Sequence, residues 1–274
     1  MYSPIPCVAK ATEPLLVDRI LYTRVDLQPL AGAISLLNPD LDKAALARQF
    51  AIDGRLRITD VLENSIAERI RNCCVSDVPY AYHYHVDGTN VAMPAAQMAA
   101  MSPAEQQDLS KRVLNEAAKG IGFLYCGYAI GRQDKATSNP NLLFLHEVFD
   151  YLNGREMLSF IEEIANHSNL QSADAQYTRF VSGQYLTRPR DDVTNQQRQL
   201  AFVFGFSKNW HPDWGGMLQF FEDDGTARDA WMPAFNTMSL FDIRHIHSVT
   251  YVTPFAREQR LSLTGWFRSA PPDA

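Results

Sequence analysis

Two stretches of this 274-residue sequence hold side chains whose types and spacing could do chemistry. Asp191 and Asp192 stand just ahead of an apolar run that begins at Leu200. His245 and His247 follow a second run, Thr237 to Phe241, and Arg257 and Arg260 close the series. From Asp191 to His247 is 56 residues, and from His247 to Arg260 is 13. A carboxylate and an imidazole are ligands for a divalent transition metal, and a guanidinium fork meets a carboxylate two hydrogen bonds at a time. The set points to metal-centred chemistry assisted by an acid. Arg260 is preferred to Arg257 as the anion holder because alternation through Ser262 and Thr264 places it on one strand face.

Residues so far apart meet only if the elements between them fold back on one another. From Ala175 onward, short β-rich runs follow each other: 177–181, 200–206, 217–221, 237–241, 249–252 and 261–267, with Gly, Pro, Asp and Asn between them. That rhythm predicts an antiparallel sandwich or small barrel of the jelly-roll type, whose interior can hold ligands from neighbouring strands. The first half reads mainly as helix. Asn38-Pro39-Asp40 opens one helix and Gly54 ends it. Arg55 to Leu62 alternates as a strand, and a helix spans about 65–74. Ser102-Pro103-Ala104-Glu105 is a capping box, residues 123–130 form a buried strand, and 141–165 form two helices broken near Asn153-Gly154. The fold class expected is α+β: a jelly-roll core with helices on one face and an α-rich N-terminal half. The α-rich portion is 1–170 and the core 171–274, read as one continuous domain because no Pro/Gly/Ser linker separates them.

Composition narrows the function classes. With 46% hydrophobic and 20% charged residues the chain is globular, and a formal charge of −6 repels phosphate backbones and anionic lipid. No nucleic-acid or membrane partner is expected, and the start of the sequence has neither a basic nor an apolar leader pattern, so the expected location is cytoplasmic. Cys7, Cys73, Cys74 and Cys126 are too few and too irregular for a disulfide framework or a zinc finger; Cys73 and Cys74 read as half-buried helix thiols.

Several other residues have plainer readings. His83 and His85 share the i, i+2 spacing of a metal-binding strand, but no Glu follows within a few residues. They read as a polar strand face, with a substrate-side role at a cavity mouth as the alternative. His211 lies in a Trp-His-Pro-Asp-Trp turn, and His146 and His167 lie on helices as surface or partly buried residues. The aromatics from Trp210 to Phe267 read as core, Gly215-Gly216 as a tight strand start, and Glu222-Asp223-Asp224 as a turn.

Around the chemistry-bearing residues, six ordered stretches carry a resemblance: Phe180 to Thr187, Asn209 to Leu218, Pro233 to Asn236, Phe241, His247 to Val249, and Arg260 to Phe267. In these the sequence resembles the prolyl 4-hydroxylase-like Fe(II)/2-oxoglutarate oxygenases. The resemblance implies a double-stranded β-helix, Fe(II), 2-oxoglutarate as co-substrate and O₂, with ascorbate admitted. It also implies hydroxylation of an unactivated C–H bond, of a prolyl or other amino-acid-derived group in a small-molecule or peptidyl substrate. A homodimer is compatible with it. Asp191 and His247 fall on metal-ligand positions, and Arg260 with Ser262 on the co-substrate carboxylate position.

One ligand departs from the pattern, for Pro189 stands where the first His belongs, and a proline side chain has no metal-binding atom. Phe180 stands where the family often has Tyr. Three readings of Pro189 remain open. The chain is a pseudo-oxygenase that kept the cavity for binding or scaffolding; or His245 substitutes as ligand; or Pro189 replaces a His in this lineage.

Overall fold

The computed structural model describes residues 35–131, 137–187 and 197–271. Its first helix starts later than the sequence suggested. Asp42 rather than Asn38 caps α1 (Lys43–Asp53), its carboxylate accepting from the Ala45 N–H at 2.9 Å. Asn38 is occupied elsewhere: its Oδ1 accepts from the Asp40 N–H, and its Nδ2 donates to the Asp60 carbonyl. Gly54 ends the helix at φ 67°, a left-handed conformation that glycine adopts without a Cβ penalty.

After α1 come β1 (Arg55–Thr59), α2 (Asn64–Ser76), the hairpin β2 (Ala81–Val86) and β3 (Thr89–Pro94), α3 (Ala95–Ala100), α4 (Pro103–Ala118) and β4 (Phe123–Ile130). The capping box expected at Ser102 forms, with Glu105 and Ser102 each bonding the other's backbone N–H. Then α5 (Pro140–Leu152) and α6 (Arg155–Ala165) meet at Gly154. Five side chains of α6 are buried, at the spacing of one helix face. The remaining strands are β5 (Ser172–Phe180), β6 (Tyr185–Leu186), β7 (Arg198–Phe206), β8 (Leu218–Phe221), β9 (Ala227–Trp231), β10 (Phe235–Asp242), β11 (Ile246–Val249) and β12 (Arg260–Arg268).

Among the described residues twelve strands form one antiparallel sheet, ordered β1-β10-β7-β12-β5-β4-β6-β11-β8-β9, with the β2–β3 hairpin attached to β4. The sheet curls, so that β6, β11, β8 and β9 form a second wall beyond β4. This is the jelly-roll core expected from the strand rhythm, with α1 to α6 beside it. Strands from the N-terminal half lie within that sheet: β1 pairs with β10, and β4 sits between β5 and β6.

Alternation on β5 sorts its two faces. Tyr177 turns outward, fully buried against α5, and its hydroxyl donates to the Leu145 carbonyl at 3.5 Å. Gln176, Thr178 and Phe180 turn inward. Gly265 on β12 permits the close pairing with β5, because a Cβ there would lie 1.8 Å from the Asp174 carbonyl oxygen. The strand expected at 249–252 sits earlier, at Ile246–Val249, where His247 pairs with Phe220. Val252 is fully buried but irregular, trading backbone hydrogen bonds with Gly183 and Gln184. Its burial mimicked a strand in the sequence.

Candidate active site

The inward faces of β5, β12 and β7 form one wall of a cavity of about 310 Å³. Gln176, Thr178 and Phe180 come from β5, Arg260, Thr264 and Trp266 from β12, and Ala201 and Val203 from β7. Phe123 and Tyr125 of β4 extend this wall. The other half of the sheet contributes Leu186, Leu218, His247 and Val249. The fold thus brings His247 and Arg260 to one cavity. A smaller hollow of about 210 Å³ adjoins it and shares Gln176, Arg198, Thr264 and Trp266.

Arg260 is 3% exposed. Its Nε donates to the Gly216 carbonyl at 2.8 Å and its Nη1 to Ser262 Oγ at 3.3 Å, while the guanidinium carbon lies 4.9 Å from the Phe180 ring centre. Burial pulls its pKa down to about 10, so it stays charged at neutral pH. No carboxylate among the described residues pairs with it, and none lines the cavity. Gly215 and Gly216, read as a tight strand start, have φ of 69° and 63° and present the carbonyl that Arg260 uses. Arg257, the runner-up, is exposed and does not line the cavity.

His247 Nδ1 lies 3.0 Å from its neighbour His245's carbonyl oxygen. A carbonyl only accepts, so Nδ1 carries the proton and Nε2 is the basic nitrogen, the form that ligates a metal. The Phe241 ring packs edge-on to this imidazole at 4.8 Å.

Asp191 and Pro189 lie outside the described residues, and among the described residues no group of three or more His, Cys, Asp or Glu could hold a metal ion. The surroundings of Arg260 fit a carboxylate-bearing co-substrate. For Fe(II), the described part of the cavity offers one imidazole donor, His247.

His245, weighed as a substitute ligand, sits in the turn before β11 and does not line the cavity. Its Nε2 lies 2.7 Å from the Asp53 carbonyl at the end of α1. His245→Ala is expected to cost about 1 kcal/mol of stability, the scale of one hydrogen bond, and to leave iron content unchanged. Fe(II) titration beside a urea titration checks this, and weaker Fe(II) binding in the variant would make His245 a ligand.

The remaining residues bear out some sequence readings and correct others. His83 lies on β2 with its ring stacked on Tyr125, centroids 5.3 Å apart and planes 7° apart, and burial lowers its pKa. His85 Nδ1 meets Asn90 Oδ1 at 2.7 Å across the hairpin, and Asn90 lines the cavity. His146 is fully buried rather than at the surface or partly buried, because it faces the core side of α5, and His167 lies past the end of α6 rather than on a helix. His211 caps a short turn by accepting from the Asp213 N–H. Cys73 and Cys74 are fully buried, not half-buried; burial pushes the Cys73 thiol up to about 11 and Cys74 higher still. Tyr125, Gln176 and Thr178 escaped the sequence reading as site residues, although Phe123/Tyr125 and Gln176/Thr178 each show the i, i+2 spacing of one strand face.

Comparison with known proteins agrees with this fold. Residues 175–268 match the model of the 2OG-Fe(II) oxygenase superfamily. No curated protein matches the chain in sequence. Among solved structures, a 2OG-Fe(II) oxygenase family oxidoreductase from Burkholderia pseudomallei aligns with a TM-score of 0.54 at 12% identity, covering 85% of this chain and 93% of that one. A Trichoplax adhaerens prolyl hydroxylase, solved with a hypoxia inducible factor oxygen degradation domain peptide fragment, aligns at 0.52 and 16% identity, covering 83% and 89%. A prolyl 4-hydroxylase from Phytophthora capsici gives 0.51 at 15% identity, covering 82% and 62%. Residues 175–268 thus carry the sequence pattern of the 2OG-Fe(II) oxygenase superfamily, on a fold shared with prolyl 4-hydroxylases.

Proposed function

We propose that the protein is a 2-oxoglutarate-dependent oxygenase in which Arg260 anchors the far carboxylate of the co-substrate. The observation that carries this is a buried guanidinium with no anionic partner among the described residues. An unpaired interior charge is costly, and a carbonyl, a hydroxyl and an aromatic face offset only part of that cost. Two of its N–H groups are used, and the rest are left for a ligand.

With one carboxylate on Arg260, the other end of the diacid is directed along the cavity that His247 lines. Phe180, Phe241, Leu218 and Val249 exclude water around it. Fe(II), held by His247 and Asp191, would supply the activation of O₂ that hydroxylation of an unactivated C–H bond requires. A prolyl or other amino-acid-derived group is the substrate class we favour, and the peptide bound by the Trichoplax adhaerens neighbour supports a peptidyl form.

A specific residue favours a second reading. Pro189 removes one protein ligand, which supports a binding protein that holds the dicarboxylate without turning it over. Succinate release from 2-oxoglutarate in the presence of Fe(II) separates the two. Release that disappears in Arg260→Met supports the oxygenase. Tight 2-oxoglutarate binding without succinate supports the binding protein, and no binding contradicts both.

A further inference from the structure

The curled sheet has three free edges among the described residues, β1, β9 and β3. Two of them are blunted by charge. Arg55 at the start of β1 pairs with Asp229 on β9, Arg228 on β9 pairs with Asp53, and Arg57 donates to the Met232 carbonyl at 2.6 Å. Strand β3 has no such guard. From Gly88 to Ala104 the chain carries no charged residue, and Thr89 to Met93 pair with β2 without a bulge or a proline. Folded proteins protect exposed strand edges with charges, prolines and bulges, because a row of open N–H and C=O groups invites another strand. An edge left open beside a cavity is a docking place for one.

Register fixes which groups are open. The two-residue turn Asp87-Gly88 makes Val86 and Thr89 a hydrogen-bonded pair, so Tyr84 with Val91 and Tyr82 with Met93 are bonded pairs as well. The N–H and C=O of Asn90 and Ala92 therefore point away from β2, and no described backbone group meets them. Both residues are exposed. Their side chains stand on the cavity face of the hairpin, where Asn90 meets His85 and lines the cavity. Val91 and Met93 turn to the other face. There Met93, Tyr84, Met101 and Leu109 floor a groove of about 530 Å³, with Glu105 and Asp108 on its rim. Arg112 on the same rim is tied to Asp87 and Asp108, so the rim is negative on balance.

We propose that the open edge of β3 docks an extended, basic peptide segment of the substrate, which adds to the sheet as a strand along Asn90 and Ala92. The proposal rests on the peptidyl reading of the proposed function. Main-chain hydrogen bonds to the edge give affinity, and alternate side chains of the added strand enter the groove or face the cavity. Apolar side chains fill the groove, where two methionines adapt to their shape. Lysine or arginine at the rim meets Glu105 and Asp108, and the chain's charge of −6 attracts such a segment from a distance. A residue on the other face of the added strand arrives beside Asn90, at the cavity. A free amino acid has no strand to add, so the edge selects a peptide over a small molecule.

Fluorescence anisotropy and amide hydrogen exchange on the full chain test this with two labelled octapeptides. In each, threonine alternates with valine and a charged residue, which is lysine in one peptide and glutamate in the other. The lysine peptide is expected to bind, and the glutamate peptide about fivefold more weakly, the scale of a few exposed charge contacts. Binding should slow exchange at the Asn90 and Ala92 amides and leave Val91 and Met93 as they were, because those two already serve β2. Ala92→Pro removes one open N–H without touching the ladder to β2 and should weaken binding about tenfold. Asp108→Lys should reverse the preference between the peptides. Melting curves equal to that of the wild type show that both variants fold. No binding of either peptide, or binding that leaves Asn90 and Ala92 exchange unchanged, overturns the proposal. Slow exchange of these amides before peptide is added also overturns it, for the edge is then covered by a second copy, which dilution would remove, or by the chain itself. Peptide on the edge of protein that binds no 2-oxoglutarate keeps the proposal and overturns the oxygenase reading, and 2-oxoglutarate binding with a bare edge does the reverse.

Discussion

Arg260→Met should weaken 2-oxoglutarate binding by about 2 kcal/mol or more, roughly thirtyfold, the scale of a hydrogen-bonded charge pair. The same variant should melt no lower than the wild type, and higher if the new side chain packs well. The guanidinium is buried against Phe180, Gly216 and Ser262 with no carboxylate beside it among the described residues. Replacing such a charge by an apolar side chain of similar length is commonly neutral or stabilising. A residue kept for structure would behave oppositely, with its loss lowering the melting temperature and leaving affinity alone. Calorimetry and thermal melting on one pair of proteins separate the two, and unchanged affinity would remove Arg260 from the site.

Pro189→His should have the largest effect of any single change. On the proposed assignment Pro189 takes the first His position and leaves Asp191 and His247 as protein ligands, and loss of one of three would weaken a labile Fe(II) site by orders of magnitude. The wild type is therefore expected to purify poor in iron and to release little succinate. Pro189→His should raise iron toward one equivalent and bring 2-oxoglutarate decarboxylation with it. Metal analysis and succinate release give the answer. Stoichiometric iron in the wild type would show that Pro189 does not stand at a needed ligand position.

Much of this architecture was legible in the sequence. The Ser102–Glu105 capping box, Gly54 at the end of α1, and the break between α5 and α6 at Gly154 are local signals, and local signals decide helix ends. The strand rhythm after Ala175 gave the jelly-roll core, because turns between antiparallel strands leave a mark in composition. The sequence reading gave His83 and His85 a strand face but did not pair it into the β2–β3 hairpin, although Asp87-Gly88, both at positive φ, is a two-residue hairpin turn. Its exposed β3 has no clean apolar alternation to announce it.

Of the site, Arg260 was legible from alternation along its own strand, whereas Tyr125 was not. Tyr125 faces the cavity only because β4 lies between β5 and β6, a pairing across some 50 residues of sequence that no local pattern encodes. The strand proposed through Val252 failed for a related reason. Burial of an apolar run is common to strands and to packed loops.

The most direct test of the central claim is a crystal structure of the protein grown anaerobically with 2-oxoglutarate and Mn(II). One carboxylate of the diacid is expected paired with the Arg260 guanidinium beside Ser262, and the 2-oxo-acid end in the cavity that His247 lines. A diacid bound elsewhere, or in this cavity with neither carboxylate on Arg260, would contradict it.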